Sequence, residues 1–329
     1  MGTPTTRPAT LDDVARAAGV SRATASRVLG GYGFASPDAR DRVTAAADRL
    51  GYVPNTTARA LVRGAGVRLV VAVAGRDETV LDDPYVDRVV SAAARVCSPH
   101  GVGVALQWLS RTTPAGLRRL GDDRSVCGMV LVNTTQPVLD ALPAGLRGRV
   151  ASIGIGSPAV PSFDVDNAGG ADAVLRHLYA GGHRRIVMIT GPRWLACAER
   201  SVTAYRALMR AAGLPVRLVT GDFTAERGGR AALEALDRWP DTDAIYAASD
   251  ATALGAIAAL RGRGIGVPGD VAVAGFDDIP YAAVSSPALT TATHPVARIA
   301  GAAATAVLER RPAPPVTAFP SALVARESA

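Results

Sequence analysis

The chain contains no lysine. All 36 basic residues are arginine, set against 29 acidic ones, for a net charge of +7. The arginine bias reads first as codon composition, and the positive balance permits an anionic partner without requiring one. Cysteine is scarce as well. Cys97, Cys127 and Cys197 are odd in number, widely spaced and free of any CxxC pattern. That argues against a disulfide framework and suits a reducing compartment. No apolar run approaches the roughly 20 residues of a membrane helix. Met1–Thr10 is polar and lacks the apolar core of a signal peptide. The expectation is a soluble cytoplasmic protein with no membrane partner. His100, His177, His183 and His294 are scattered, and none pairs with cysteine or carboxylate at a metal-ligand spacing. There is no GxSxG elbow, no Walker loop and no GxGxxG after a first strand. Neither a cofactor nor catalysis is expected.

What is present divides into three textures. Residues 1–53 show short, strongly capped helical patterns, 54–66 form a connector, and 67–329 alternate apolar runs with amphipathic stretches. In the first zone Thr10 can cap a helix over Leu11–Ala18, with Asp13 in the capping-box position. Gly19 ends that helix, Val20 reads as a buried turn residue, and Ser21 caps a second helix over Arg22–Leu29. A third opens with Ser36 and Pro37, carries an apolar stripe of Val43, Ala46, Ala47 and Leu50, and closes at Gly51.

The third zone offers candidate strands at Leu69–Ala74, Val102–Leu106, Met129–Val132, Val150–Ile155, Ile186–Thr190, Val216–Val219, Ala244–Ala248 and Val271–Gly275, with a last one at Ala322–Ala325. Most are continuous apolar runs, as strands buried on both faces of a parallel sheet should be. Helical stretches alternate with them, including Tyr85–Val96, Gly169–Ala180, Ala198–Ala212 and Thr252–Arg261. Some 260 residues exceed one ordinary doubly wound sheet, so two lobes are expected.

A helix-turn-helix needs a small residue where its helices cross, a turn residue tolerant of positive φ, and an apolar inner face on its second helix. Ala15, Gly19, and Ala25 with Val28 supply these. The outer face of the second helix then presents Arg22, Ala23 and Arg27, and arginine is well suited to a bidentate hold on guanine. Ser21, at the start of that helix, would meet a phosphate.

The runs LDDVARAAGVSRATASRVL and TAAADRLGYVPNTTARAL resemble the lactose-repressor (LacI) family of bacterial regulators. So do VDN at Val165–Asn167, GHRRI at Gly182–Ile186, SDATALGA at Ser249–Ala256, AVAGFDD at Ala272–Asp278, SSPALTT at Ser285–Thr291 and LVARES at Leu323–Ser328. The resemblance covers almost the whole chain. It implies an α-helical helix-turn-helix head and an α/β body of two lobes with parallel sheets, built like the periplasmic sugar-binding proteins. It implies DNA contacts from Thr10, Ser21, Arg22, Ala23, Thr24 and Arg27. It makes the connector a hinge in which Asn55, Ala58, Arg59 and Leu61 meet DNA, Leu61 as a minor-groove wedge. The partners so implied are a near-palindromic duplex operator, a second copy of the chain (a tetramer being left open) and a small polar effector such as a sugar. The lobes are expected over about 67–161 with 295–315, and about 162–294 with 316–329.

For the effector, the resemblance and the placement of residues after strands point to Tyr85, Asn167, Trp194, Arg200, Ser249, Asp250, Phe276 and Asp277. Asp250 reads first as a helix cap or interlobe contact and second as a ligand contact. Two positions depart from the family's pattern. Its arginine four residues before the aromatic at Tyr205 is replaced by Ser201, with Arg200 one place away. Its aspartate after the Val150–Ile155 strand is replaced by Gly154. These departures put a standard pyranose ligand in doubt. A secreted solute-binding protein and a sugar-processing enzyme are the rival readings. The fused head opposes the first, and the missing phosphate loop and acid/base pair oppose the second.

Overall fold

A computed structural model describes residues 9–31, 33–53, 67–310 and 313–329 of the chain. It separates into two compact units, Met1–Ala65 and Gly66–Ala329.

The first unit is a three-helix head. Helix α1 (Leu11–Ala18) starts at Thr10, whose Oγ1 accepts from the Asp13 N–H at 3.3 Å while the Asp13 carboxylate accepts from the Thr10 N–H at 3.0 Å. This reciprocal pair satisfies two donors that a helix start otherwise leaves bare. Gly19, at φ +62°, ends α1 in the left-handed region. Ser21 caps α2 (Arg22–Gly30), and Ser36 with Pro37 opens α3 (Pro37–Leu50). The small core comprises Val14, Ala15, Ala18, Ala25, Val43, Ala46 and Ala47, with Val20, Val28 and Tyr52 packed against it. Alanines at the crossings let the helices approach closely. Leu50 differs from expectation: it stands at the last turn of α3 and is exposed.

The second unit is built on two parallel sheets. The first holds β1 (Arg68–Gly75), β2 (Gly103–Ser110), β3 (Val126–Val132), β4 (Val150–Ile153), β5 (Ser162–Val165) and β11 (Val316–Phe319), in the order β11-β5-β4-β3-β1-β2. The second holds β6 (Ile186–Thr190), β7 (Leu218–Thr220), β8 (Ala244–Ala247) and β9 (Ala272–Ala274), in the order β7-β6-β8-β9. A two-stranded antiparallel ribbon pairs β10 (Thr291–Ala292) with β12 (Leu323–Val324). The helices are α4 (Pro84–Cys97), α5 (Gly116–Asp122), α6 (Gln136–Asp140), α7 (Asn167–Ala180), α8 (Ala196–Ala211), α9 (Ala225–Arg238), α10 (Asp250–Gly262), α11 (Pro280–Val284) and α12 (Val296–Glu309).

Apolar clusters lie on both faces of both sheets, which explains the unbroken apolar strands. The cluster containing Leu69, Val174, Ile186 and Tyr246 runs from one lobe into the other. The first sheet takes in Ser162–Val165 and Val316–Phe319, which the sequence-based partition gave to the second lobe. β5 pairs in register with β11, Val316 opposite Ser162, and with β4, Ile153 opposite Phe163. Three segments therefore cross between lobes: the one after β5, the one between β10 and α12, and the one between β11 and β12. Two are stitched together, with the Thr293 N–H donating to the Ala322 carbonyl and Ser321 Oγ to the Thr293 carbonyl, at 2.8 and 2.7 Å. No helix among the described residues is long and apolar enough to cross a membrane.

Candidate functional site

On the head, the residues left outside the core of α2 are Ser21, Arg22, Ala23 and Arg27, all exposed. Ser21 Oγ accepts from the Thr24 N–H at 3.1 Å and lies 2.9 Å from Thr24 Oγ1. Both hydroxyls are therefore engaged in the cap. Arg27 lies along its own helix, donating to the Ala23 carbonyl at 3.3 Å and to Thr24 Oγ1 at 3.4 Å. Arg22 pairs with Asp12 of α1 at 3.2 Å. With both side chains mostly in solvent, that pair is weak and easily exchanged for another anion. Asn55, Ala58, Arg59 and Leu61 lie outside the described residues.

In the body, a cavity with about 890 Å³ of empty space, mouth included, opens between the two sheets. Its walls come from segments that follow the carboxyl ends of parallel strands in both lobes, where ligands of open α/β sheets bind. The first lobe contributes Asp83, Tyr85, Asn133, Gly154 and Asp164; the second contributes Cys197, Phe223, Ser249, Phe276 and Asp277. Asn167 and His294 come from the crossing segments.

The backbone is strained here. Among the described residues, five non-glycines have positive φ, and three of them line the cavity: Asn133 at 55°, Phe223 at 73° and Asp277 at 118°. Such conformations persist only where surrounding contacts impose them, and they concentrate at binding sites.

Asp277 is fixed from several directions. Its N–H donates to the Ala292 carbonyl at 2.9 Å, and its Oδ1 lies 2.9 Å from His294 Nδ1. Arg88, on α4 of the opposite lobe, donates to the carbonyls of Asp277 and His294 at 3.2 and 3.1 Å. Burial raises the Asp277 carboxyl well above the usual carboxylate range, helped by nearby Asp83 and opposed by Arg88. The same burial pushes the His294 imidazole down to about 4. Asp83 is also raised by burial, and its carboxylate caps α4 by accepting from the Tyr85 N–H at 2.9 Å.

The structure gathers Tyr85, Asn167, Ser249, Phe276 and Asp277 around one space, as the sequence reading placed them, but three expected residues stand outside it. Asp250 is fully buried and accepts from the Ile279 N–H at 2.9 Å and from Thr291 Oγ1 at 2.5 Å. Burial pushes it up to about 8, and it ties α10 to the loop that carries Asp277. Gly275 permits this, since a Cβ there would stand 2.3 Å from Asp250 Oδ1. Arg200 forms an ion pair with Asp164 across the lobes. Trp194 stands just before the wall segment Leu195–Cys197, its ring 5.4 Å from the guanidinium of Arg111 on the other lobe.

The sequence reading missed Asp83, Asn133, Asp164, Cys197, Phe223 and His294. Asp164 sits on β5, beside β4 and close to Gly154, and brings a carboxylate to the wall. Cys197 is held protonated, pushed up to about 12 by burial, and acts as a small apolar wall group. Among the described residues, no group of histidine, cysteine and carboxylate could hold a metal ion.

A capped helix-turn-helix head on a two-lobed body of parallel sheets defines a ligand-responsive DNA-binding regulator. Residues 10–55 match the pattern of bacterial regulatory proteins of the lacI family, and residues 175–329 match a periplasmic binding protein-like domain. The chain is 36% identical to the HTH-type transcriptional regulator CelR of Thermobifida fusca over 309 residues, covering 88% of each. It is 31% identical to the regulator GalR of Escherichia coli K12 over 336 residues, covering 97% of this chain and 95% of GalR. Among solved structures, a CelR–cellobiose complex superposes with a TM-score of 0.68 at 30% identity, over 98% of this chain and all of that one. A lac repressor dimer bound to operator and an anti-inducer gives 0.83 at 23% identity, over 98% and 99%, and supports the fold. The chain belongs to the LacI family of bacterial transcriptional regulators.

Proposed function

We propose that this regulator represses transcription in the cytoplasm by binding a near-palindromic operator as a homodimer, and that a sugar or related metabolite in the interlobe cavity sets its operator affinity. The DNA-reading set is Arg22, Ala23 and Arg27 of α2, with Thr10, Ser21 and Thr24 at the helix starts. Asn55, Ala58, Arg59 and Leu61 serve in the connector, with Leu61 as the wedge. The effector set is Tyr85, Asn167, Ser249, Phe276 and Asp277. Asp250 and Arg200 position the wall, and no catalytic step is assigned.

One observation carries the reading: a cavity walled from both lobes converges on Asp277, whose backbone carbonyl is held by Arg88 of the opposite lobe and whose carboxylate is held by His294 of a crossing segment. A molecule filling it touches both lobes at once, so its binding energy depends on the angle between them. Coupling of this kind is commonly about 1–3 kcal/mol and is reciprocal between the two sites.

The test selects duplexes from a random pool with the full chain, measures the best by mobility shift at several salt concentrations, and repeats the measurement with neutral sugars. Specific binding that weakens steeply with salt and shifts at least fivefold with a sugar is expected. Equal affinity for selected and random duplexes at moderate salt would overturn the operator reading. A shift produced by none of the sugars would overturn the effector reading.

A further inference from the structure

Arg22 is the first residue of α2, a helix with no acid in its first turn. A cation there sits on a helix end that already carries partial positive charge, so local helix stability does not ask for it. Asp12 lies in the first turn of α1 but has no part in that helix's cap, which Thr10 and Asp13 complete by themselves. Asp13 also pairs with Arg16 at 3.2 Å. Among the described residues, the ion pair that Asp12 makes is the one with Arg22.

The pair has a direction. The guanidinium atom nearest the carboxylate is Nε, 3.2 Å from Asp12 Oδ1. A guanidinium is planar and presents its donors along separate edges. A carboxylate at Nε leaves the outer edge, Nη1 with Nη2, for a second acceptor. In the free chain both side chains are mostly in solvent, and the pair is loose. A duplex laid over α2 removes water from around it, which strengthens the attraction. The second acceptor then decides whether the pair survives. A phosphate brings negative charge up to Asp12 and competes with it for the cation. A guanine brings no net charge, and its O6 and N7 match the two outer donors.

Resting on the operator reading above, we infer that Asp12 is a positioning residue for base readout: it braces Arg22 through Nε and so turns the outer edge of the guanidinium to a guanine. Asp12 also acts against other sequences. Its charge repels any duplex, and only a site with guanine opposite Arg22 offsets that cost. Asp12 therefore lowers affinity for random DNA while raising discrimination at one base pair.

The test takes the best duplex selected by the full native chain, its single-base-pair variants and a random duplex. Each is measured by mobility shift with the native chain, Arg22→Ala, Asp12→Ala, Asp12→Asn and the double variant Asp12→Ala with Arg22→Ala, and thermal midpoints serve as the folding control. Arg22→Ala identifies the base pair that Arg22 reads, as the one whose preference it abolishes. The expected result is that Asp12→Ala relaxes preference at that same pair about fivefold, a part of what a bidentate contact supplies, and binds the random duplex more tightly. Asp12→Asn, which keeps an acceptor for Nε without the charge, retains most of the preference and still gains on the random duplex. In the Arg22→Ala background, Asp12→Ala changes nothing further at that pair. Base preference unchanged in Asp12→Ala overturns the inference, whether affinity rises uniformly or the midpoint alone falls, since Asp12 would then be a charge neighbour or a tie between helices. A relaxation of equal size in the Arg22→Ala background also overturns it, since Asp12 would act through another contact. If Arg22→Ala weakens all duplexes alike, Arg22 holds a phosphate, and the inference fails while the operator reading stands. If the native chain prefers no duplex, the operator reading fails, and this inference with it.

Discussion

The head and the cavity are built in opposite ways. In the head, the side-chain hydrogen bonds given above join residues three or four positions apart: Thr10 to Asp13, Ser21 to Thr24, Arg27 to Ala23. In the cavity, the decisive contacts join residues 189 and 206 positions apart, as Arg88 does with the carbonyls of Asp277 and His294. A surface assembled from local contacts needs only its own segment to be right. A cavity assembled from distant ones exists only when the whole body has folded, and each contact in it also fixes an angle between lobes. Local construction gives a rigid reading surface, and non-local construction gives a site that can sense.

The largest test of this contrast is pH. His294 has its pKa lowered to about 4 from an ordinary 6.5. The unfolded chain therefore takes up a proton there before the folded one does. The imidazole's contribution is complete above pH 6.5 and is lost progressively as pH falls toward 4, up to about 3 kcal/mol. Asp250 and Asp277, both raised, act in the opposite sense. Denaturant titrations of the native chain against His294→Gln at pH 7 and pH 4.5 isolate the histidine share. A difference between the two chains that does not change with pH would mean the site is wetter than its geometry indicates.

Next in size is Arg88→Met, which leaves two carbonyls without their charged donor. It should destabilise the body by about 2 kcal/mol in urea unfolding and weaken effector binding, while the Thr10-capped helix of the head keeps its protection in hydrogen exchange. Loss of that protection would show that the two regions are not built independently. Arg22→Ala comes third. It should cost about 1.5 kcal/mol, or tenfold, in operator affinity by mobility shift with sugar affinity unchanged. A loss confined to salt dependence, with sequence preference intact, would move Arg22 from bases to phosphates. The smallest is Thr10→Ala, which removes the capping box and should cost the head about 1 kcal/mol in thermal unfolding. A loss of several times that size would mean the cap also supports contacts beyond α1.

The same contrast explains what could be read from the sequence. The bounds of α1, the caps of all three head helices and the exposed set Arg22, Ala23 and Arg27 follow from spacing within one or two turns, and they were legible. Strands that are apolar throughout, such as Leu69–Ala74, were legible for the same reason. β5 and β11 were not. SFDV alternates weakly, VTAF follows a proline run, and their pairing joins residues some 150 positions apart. Tyr85 could be placed because it follows a proline, and Asp277 because it lies within three residues of the end of β9. Asp164 and His294 needed the sheet order and the crossing segments, which periodicity does not record. Arg200 and Trp194 had the right chemistry in the right neighbourhood, but each was turned onto a partner from the other lobe.

The stacked pair of Arg111 and Trp194 joins the two lobes beside the wall segment. An indole's emission responds to a charge held over its ring, so any change in lobe angle that lifts Arg111 away must alter the colour or brightness of that one tryptophan. With Trp108 and Trp239 replaced by phenylalanine, the protein becomes its own optical gauge of opening, readable in milliseconds without an attached dye.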